Sequence, residues 1–422
     1  MERLAVWFDD IQAAVLERAD PEEDPTLSYT DGARARWGDG TPLLSVQLPV
    51  RGEPWSGKVV RRFLTGLLPE GQVAALLFQR AKLAENDVFG YLRAYGADCA
   101  GALSIVAADS PPPPGDQAGV EWLDEVRLKR LVADLPRAPL GLGLDGEVKL
   151  SLAGVQHKLA LVRRGDGLLG LPLHGRASTH ILKPEPYEAD RAGLIAVEAF
   201  CLKLAEAVGL PTASSTVVPI AGKPALLLDR YDRIIEGSGH VRRVHQEDLC
   251  QAAGQSPDLK YEKQGGIGFG TAARILWEHS AQAFLDLANL LRLATVTVLV
   301  GNGDSHAKNI SFLHTPVHAL HLAPAYDIAC STVFIPGDTL GMQIGGTYRF
   351  EEIDADRLIE EARSWDLPPA ASAPVVADVV AKAAEAVAPL LDRAHEENWY
   401  EPVLDDVADV VRRAVGRLSR RS

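Results

Sequence analysis

Asp304 and Asn309 stand five residues apart in the run Gly301-Asn302-Gly303-Asp304-Ser305-His306-Ala307-Lys308-Asn309. At that spacing a carboxylate can accept a proton from a hydroxyl while the amide holds a magnesium ion. A second acid, Asp327, follows 18 residues after Asn309, in Ala323-Pro324-Ala325-Tyr326-Asp327. The apolar stretches 310–313 and 320–323 predict a β-hairpin that returns Asp327 to the loop, where a metal-binding acid is needed beside phosphates. Phosphoryl transfer depends on positioning and charge neutralisation more than on covalent help, so one base and two metal ligands suffice for it. The same Gly, Asn, Asp and Ser residues would also suit an ordinary polar turn. The distant acid and the residues upstream argue against that account.

Phosphates also need donors and a cation. Ser151-Leu152-Ala153-Gly154-Val155-Gln156-His157-Lys158 surrounds a turn whose backbone N–H groups can cradle them, with a plain β-turn as the competing account. Lys183, in a short strand that Pro184 stops, would offer an ammonium, although strand lysines are commonly just solvent-exposed. Glu198, early in the following helix, is placed to orient Lys183, and an acid also suits a helix start. Leu226-Leu227-Leu228-Asp229-Arg230-Tyr231-Asp232-Arg233 ends a strand just before the helical half, where a nucleotide base would meet backbone groups. Its alternating Arg and Asp predict a structural ion-pair network as well. Glu247 and Asp248 suit the first turn of a helix.

These residues require a scaffold of two kinds. Residues 1–108 read as a small α/β unit, with 4–7 and 43–48 strand-like and 73–83 helical. Residues 109–118, with Pro111, Pro112, Pro113 and Pro114, favour polyproline II and mark a linker. From 119 to 230 strand patterns dominate: 149–162 alternates as a hairpin would, and 180–184, 215–220 and 224–228 read as strands. Within this part Val197, Phe200, Cys201, Leu204, Ala205 and Val208 form a helical stripe that Gly209 and Pro211 end. From 231 to 422 helices dominate, including 280–300 and 371–395. The expected fold is α+β: a bilobal protein-kinase-like arrangement of β-rich lobe and helical lobe, preceded by a small α/β subdomain. The order of the motifs gives that expectation; composition does not.

At 422 residues the chain has room for two or three domains, and 47% hydrophobic with 24% charged residues is ordinary for a soluble globular protein. No apolar run approaches the ~20 residues of a bilayer span, so no membrane association is expected. Asp9 and Asp10 come too early for a secretory signal. Cys99, Cys201, Cys250 and Cys330 form no C-x-x-C pair, which predicts reduced, buried thiols and a cytoplasmic chain. The net charge of −14 argues against broad, independent binding to nucleic acid. The tail cluster of Arg412, Arg413, Arg417, Arg420 and Arg421 reads as a solvated helix end opposing the dipole.

Taken in order, S-L-A-G-V-Q-H-K, H-I-L-K-P, D-R-Y-D-R, H-Q-E-D-L-C-Q, K-Y-E-x-x-G-G, G-N-G-D-S-H-A-K-N and P-A-Y-D-I resemble the HipA-type serine/threonine kinases, the toxin halves of toxin–antitoxin pairs. Leu67-Leu68-Pro69-Glu70-Gly71 and Asp98-Cys99-Ala100-Gly101-Ala102 are similar to that family's N-terminal subdomain, so the resemblance covers about residues 1–335. It implies ATP and Mg2+ as cofactors, Asp304 as catalytic base, and Asn309 and Asp327 as magnesium ligands. It places His306, Ala307, Lys308 and Tyr326 in nucleotide-contacting segments and Lys183 on the phosphates. Ala153, Gly154, Val155, Gln156, His157 and Lys158 become the phosphate loop, and Asp229, Arg230 and Tyr231 the hinge. Ser151 matches a serine that family members autophosphorylate to switch themselves off; a dianion there would repel ATP's phosphates. The resemblance also implies an aminoacyl-tRNA synthetase as protein substrate and a small helix-turn-helix antitoxin, HipB-like, through which DNA is reached. Two positions depart from the family pattern: Asp229 stands where Glu is usual, and Val197 where Asn is common. The competing classes are a catalytically dispensable co-repressor bound to the antitoxin, and a small-molecule phosphotransferase. Asp304, Asn309, Asp327 and Lys183 count against the first, and the N-terminal matches against the second.

Overall fold

The computed structural model describes residues 1–111, 115, 119–141, 149–154, 156–237, 239–315 and 319–420. Three strands open the chain, β1 (Glu2–Phe8), β2 (Ile11–Arg18) and β3 (Thr26–Tyr29), followed by helices α1 (Asp31–Trp37), α2 (Lys58–Gly66), α3 (Gly71–Arg80) and α4 (Val88–Tyr95). Strand β4 (Leu103–Ala107) then returns beside β1, giving a four-stranded antiparallel sheet of order β3-β2-β1-β4. Leu4, Val6 and Leu16 from the sheet meet Leu64, Leu77 and Tyr91 from the helices in one buried core. That core also takes in Leu140, Leu150, Leu152 and Ala160 from beyond residue 108.

The second layer starts with β5 (Val120–Trp122) and α5 (Glu125–Asp134) and continues through β6 (Leu159–Arg163), β7 (Leu169–Pro172) and β8 (His180–Pro184). Helix α6 (Leu194–Ala207) follows, then β9 (Ser215–Ile220) and β10 (Lys223–Asp229). The six strands form an antiparallel sheet of order β5-β7-β6-β8-β10-β9, and α6 is buried from Ile195 to Ala205. Gly209, at φ 83°, carries the turn that ends α6, a conformation glycine adopts without a Cβ penalty.

The third part begins with β11 (Arg233–Ile235), β12 (Val241–Arg243), β13 (Gln246–Asp248) and the short α7 (Leu249–Ala252). Then come α8 (Phe269–His279), α9 (Ala283–Val300), the hairpin β14 (Ser311–His314) and β15 (Leu320–Leu322), and α10 (Ala355–Ser364), α11 (Pro369–Glu396) and α12 (Val403–Leu418). Residues of α6, α9, α11 and α12 share one continuous core. Helix α9 is long and apolar enough to cross a membrane, with a mean hydropathy of 1.7 over 18 residues, which corrects the sequence expectation that no segment approaches this. It is 67% buried inside the protein and serves as the central core helix.

Three local expectations are corrected. Residues 43–48 form no strand: Leu43, Leu44 and Leu48 are buried, but the backbone turns there because Ser45 Oγ and Val46 N–H donate to Glu247 (2.6 and 3.1 Å). Of 149–162 only the part from Leu159 is strand, and the hairpin is β6–β7. The alternation upstream reflects Leu150 and Leu152 docking into the N-terminal core, which the period-2 pattern mimics. Glu247 lies in β13, whereas Asp248 caps α7 through a reciprocal pair with Gln251.

Candidate active site

The expected catalytic loop hangs between α9 and β14. Gly301 ends α9 in the left-handed region at φ 65°, its N–H closing onto Thr297 O, and the chain leaves the core. Gly303 N–H is held by Ser331 Oγ at 2.7 Å, and residues Ala307–Asn309 make a single tight turn into β14. Asp304 is exposed and accepts a hydrogen bond from the Tyr261 hydroxyl on Oδ1. Asn309 Nδ2 donates to Asp304 O at 3.0 Å, tying the two residues together. The His306 ring lies edge-on to Tyr261, and its Nδ1 has no partner among the described residues. Burial first, and then Lys260, push the His306 pKa below its ordinary value, so the ring is neutral beside Asp304.

Asp327 reaches the same place from the other side. The segment before it is stapled to the chain after α6, with Ala325 N–H donating to Pro211 O (2.8 Å) and Ala213 N–H to Ala325 O (2.9 Å). Asp327 itself sits at φ 57°, a region that non-glycine residues visit at some cost and that is enriched at functional sites. Lys183 in β8 is buried, and its Nζ lies 2.7 Å from Glu198 Oε1 in α6 and 2.6 Å from Asp327 Oδ1. The Asp327 side chain is 44% exposed, and the Lys183 ammonium holds its pKa down to about 2. Burial pushes Lys183 towards neutrality, but Asp327 and Glu198 reverse this and hold it protonated. The Glu198 carboxyl is pushed above its ordinary value, its burial outweighing Lys183.

The expected phosphate loop lies over this cluster. Gly154 has φ 106°, a conformation that favours glycine, and a Cβ there would sit 2.7 Å from Lys158 Nζ and displace it. Lys158 Nζ donates to Ala153 O at 2.6 Å. Burial, and then the neighbouring Lys183, lower its pKa to about 8. Gln156 Nε2 and His157 Nδ1 are buried without partners among the described residues. Val155 lies outside the described residues. Ser151 is fully buried rather than at the mouth of the loop; its hydroxyl donates to Leu67 O at 2.6 Å and its N–H to Asp98 O at 3.0 Å.

Other expected site residues have commitments of their own. Tyr326 is half-buried and its hydroxyl donates to Lys308 O at 2.7 Å. Ala307 is fully buried, with its N–H on Lys260 O. Lys308 is buried and pairs with Glu70 (3.1 Å) and Asp248 (3.6 Å). Asp229 Oδ1 meets His180 Nε2 at 2.9 Å, and the Tyr231 ring lies 5.8 Å from that of Tyr326. Arg230 is not brought to the cleft. Its N–H is used by Thr179 O, its carbonyl accepts from Arg233 N–H, and its guanidinium belongs to a buried cluster with Asp98, Asp232, Arg233 and Arg243. The ion-pair network expected of this segment is therefore real and joins it to the N-terminal unit.

Sequence reasoning assigned no role to Tyr261 or Lys260, although both stand in the quoted K-Y-E-x-x-G-G run. Tyr261 lies 43 residues from the acid it touches, and no periodicity links the two.

Family profiles match two parts of the chain: the HipA N-terminal domain over residues 4–106 and the HipA-like C-terminal domain over residues 150–387. A putative kinase of Sinorhizobium fredii, Y4mE, is 38% identical over 361 residues, covering 84% of this chain and 83% of that protein. The serine/threonine-protein kinase toxin HipA of Shewanella oneidensis is 32% identical over 309 residues, 69% of this chain and 67% of that one. In three dimensions the chain matches a HipA structure from the Shewanella oneidensis MR-1 complex of HipA, HipB and operator DNA. The TM-score is 0.79 at 24% identity, over 98% of this chain and 95% of that chain, a likeness of fold.

Proposed function

This chain belongs to the HipA family, and on that premise we propose that it is a protein serine/threonine kinase that uses ATP and magnesium and acts as the toxin of a toxin–antitoxin pair. The observation that carries this reading is Lys183, clamped between Glu198 and Asp327. It puts an ammonium for phosphates and an acid for a metal side by side, as phosphoryl transfer requires.

The donor chemistry fits magnesium. Asp327 and Asn309 offer hard oxygen atoms, few in number, as suits a cation that keeps waters and phosphate oxygens around it. Because Asn309 Nδ2 is spent on Asp304 O, its Oδ1 is the atom left for the metal. When bound, the ion would neutralise the charge of the phosphates. Lys183, Lys158 and the backbone of Ala153, Gly154, Gln156 and His157 then hold those phosphates, and Asp229 and Tyr231 flank the base. Asp304 accepts the proton of the substrate hydroxyl on Oδ2, since Tyr261 occupies Oδ1. In this reading residues 119–230 and 231–422 are the two lobes, joined to an N-terminal subdomain, 1–108, through a linker at 109–118, of which 112–114 and 116–118 lie outside the described residues.

The proposed partner is a small HipB-like helix-turn-helix antitoxin. Operator DNA is reached through it, because a net charge of −14 disfavours direct contact. The proposed protein substrate is an aminoacyl-tRNA synthetase in the cytoplasm, as the family resemblance implies. Ser151 is the proposed self-phosphorylation site. Its hydroxyl now donates to a buried carbonyl, a position that a dianion cannot occupy, so modification would expel the loop. Incubation with labelled Mg·ATP followed by mass spectrometry tests the reading. Phosphate is expected on the peptide containing Ser151 and is absent without magnesium. Phosphate only on other serines would remove the switch, and no transfer at all would remove the kinase.

A further inference from the structure

The run Leu67-Leu68-Pro69-Glu70-Gly71 has no part in the chemistry above, yet it threads between the two loops that carry that chemistry. On one side it meets the phosphate loop: Ser151 Oγ donates to Leu67 O (2.6 Å), Pro69 pairs with Gly154, and Glu70 N–H donates to Gly154 O (3.3 Å). On the other side it meets the catalytic loop. Glu70 Oε1 lies 3.1 Å from Lys308 Nζ and Oε2 lies 2.7 Å from Lys260 Nζ, while Lys308 Nζ also reaches Gly66 O at 3.4 Å. Those two lysines bracket the proposed base. Lys260 O accepts the Ala307 N–H, and the next residue, Tyr261, donates to Asp304. Lys308 precedes Asn309 directly.

We infer that Glu70 is a positioning residue that couples the phosphate loop to the catalytic loop, its backbone holding the first and its carboxylate the second. This rests on the kinase reading for its catalytic consequence but not for its structural one. One carboxylate shared by two buried or half-buried ammonium groups is a costly arrangement to break, because removing it leaves both cations with fewer acceptors. Burial pushes the Glu70 carboxyl up, but Lys308 and Lys260 outweigh it and keep the group ionised. The N-terminal unit is thereby part of the active-site frame.

Hydrogen exchange on the full-length chain, read by mass spectrometry, tests the coupling without requiring activity. In Glu70→Gln, exchange in segments 303–310 and 150–154 should quicken together by at least about tenfold, with α11 and α12 unchanged. The kcat for phosphoryl transfer should fall roughly 10- to 100-fold, as when a group that orients a ligand is lost, while KM for Mg·ATP holds. Glu70→Asp should recover part of that loss. Unchanged exchange overturns the inference, as does a uniform rise across the protein, or a rise confined to 303–310. If Glu70→Gln does not fold, Lys260→Met replaces it, and wild-type exchange at 303–310 in that variant overturns the inference equally. An inactive wild-type protein sinks the kinase reading alone, since the exchange arms still decide the coupling.

Discussion

Just beyond the end of β10, Asp98 and Asp232 meet Arg230, Arg233 and Arg243 in a cluster whose side chains are at most 9% exposed. At the cleft, Lys158, Lys183, Glu198 and Asp327 form another group of opposed charges, and this one opens to solvent through Asp327. Both groups shift pKa values strongly. Asp98 and Asp232 are held ionised, their burial outweighed by the arginines, and Arg233 is lowered to about 10 by burial and by Arg230. Perturbed titration is therefore a poor guide to function by itself. What separates the two clusters is the spare valence of their acids. The acids of the first cluster spend their oxygens on guanidinium groups, on Ser178 and on Gly101 N–H. The cleft keeps an exposed carboxylate on a left-handed aspartate, whereas nitrogens without a partner among the described residues occur in both, on Arg233 in the first and on His306, His157 and Gln156 in the second.

The contrast breaks most easily at Asp304. Asp304→Asn should lower phosphoryl transfer by roughly 10²- to 10⁴-fold while leaving the urea midpoint where it was, since the residue is exposed. A kinase assay beside a denaturation curve checks both halves. The complementary change is Asp98→Ala. It removes a carboxylate shared by three buried arginines, two of which keep Asp232, and should cost about 3–5 kcal/mol of stability, read as a lower urea midpoint, with the rate per folded molecule kept. A rate loss as large as that of Asp304→Asn would erase the distinction between the clusters. The smallest effect concerns Lys158, whose pKa near 8 makes it a titrating phosphate donor flanked by Lys183, Asp327, Glu198 and Glu70. As pH rises through 8 its positive charge is lost, so nucleotide affinity should fall by about tenfold between pH 7 and pH 9. In Lys158→Gln, calorimetric titration should show weak binding with that fall removed.

The same division explains what the sequence could disclose. Strands β8 and β10 and helices α6, α9 and α11 follow from simple periodicity, because each buries one face or nearly all of itself in a local pattern. The pairing of Lys183 with Glu198 was legible from strand-to-helix order, and the structure has it at 2.7 Å. The bond between Glu70 and Lys308 was not, since it spans the two units and neither residue signals the other. Residues 43–48 and 149–158 misled for a related reason. Their alternating leucines pack against the N-terminal core or against a turn fixed by Glu247, so burial came without a strand partner. Arg230 showed both of its possible roles in sequence, and only coordinates could choose the ion pairs.

Residues 336–422, beyond the quoted motifs, have a mechanical consequence. Helices α11 and α12 lie against both α6, from the upper lobe, and α9, from the lower one. Val403 and Glu401 pack over Gly193 at the very start of α6. Two-lobed enzymes commonly admit nucleotide by swinging the lobes apart about a hinge, and a shared hydrophobic core across both lobes opposes that swing. Crosslinking α6 to α12 should therefore leave phosphoryl transfer at its uncrosslinked rate, whereas a loss of activity would show that the two lobes must part.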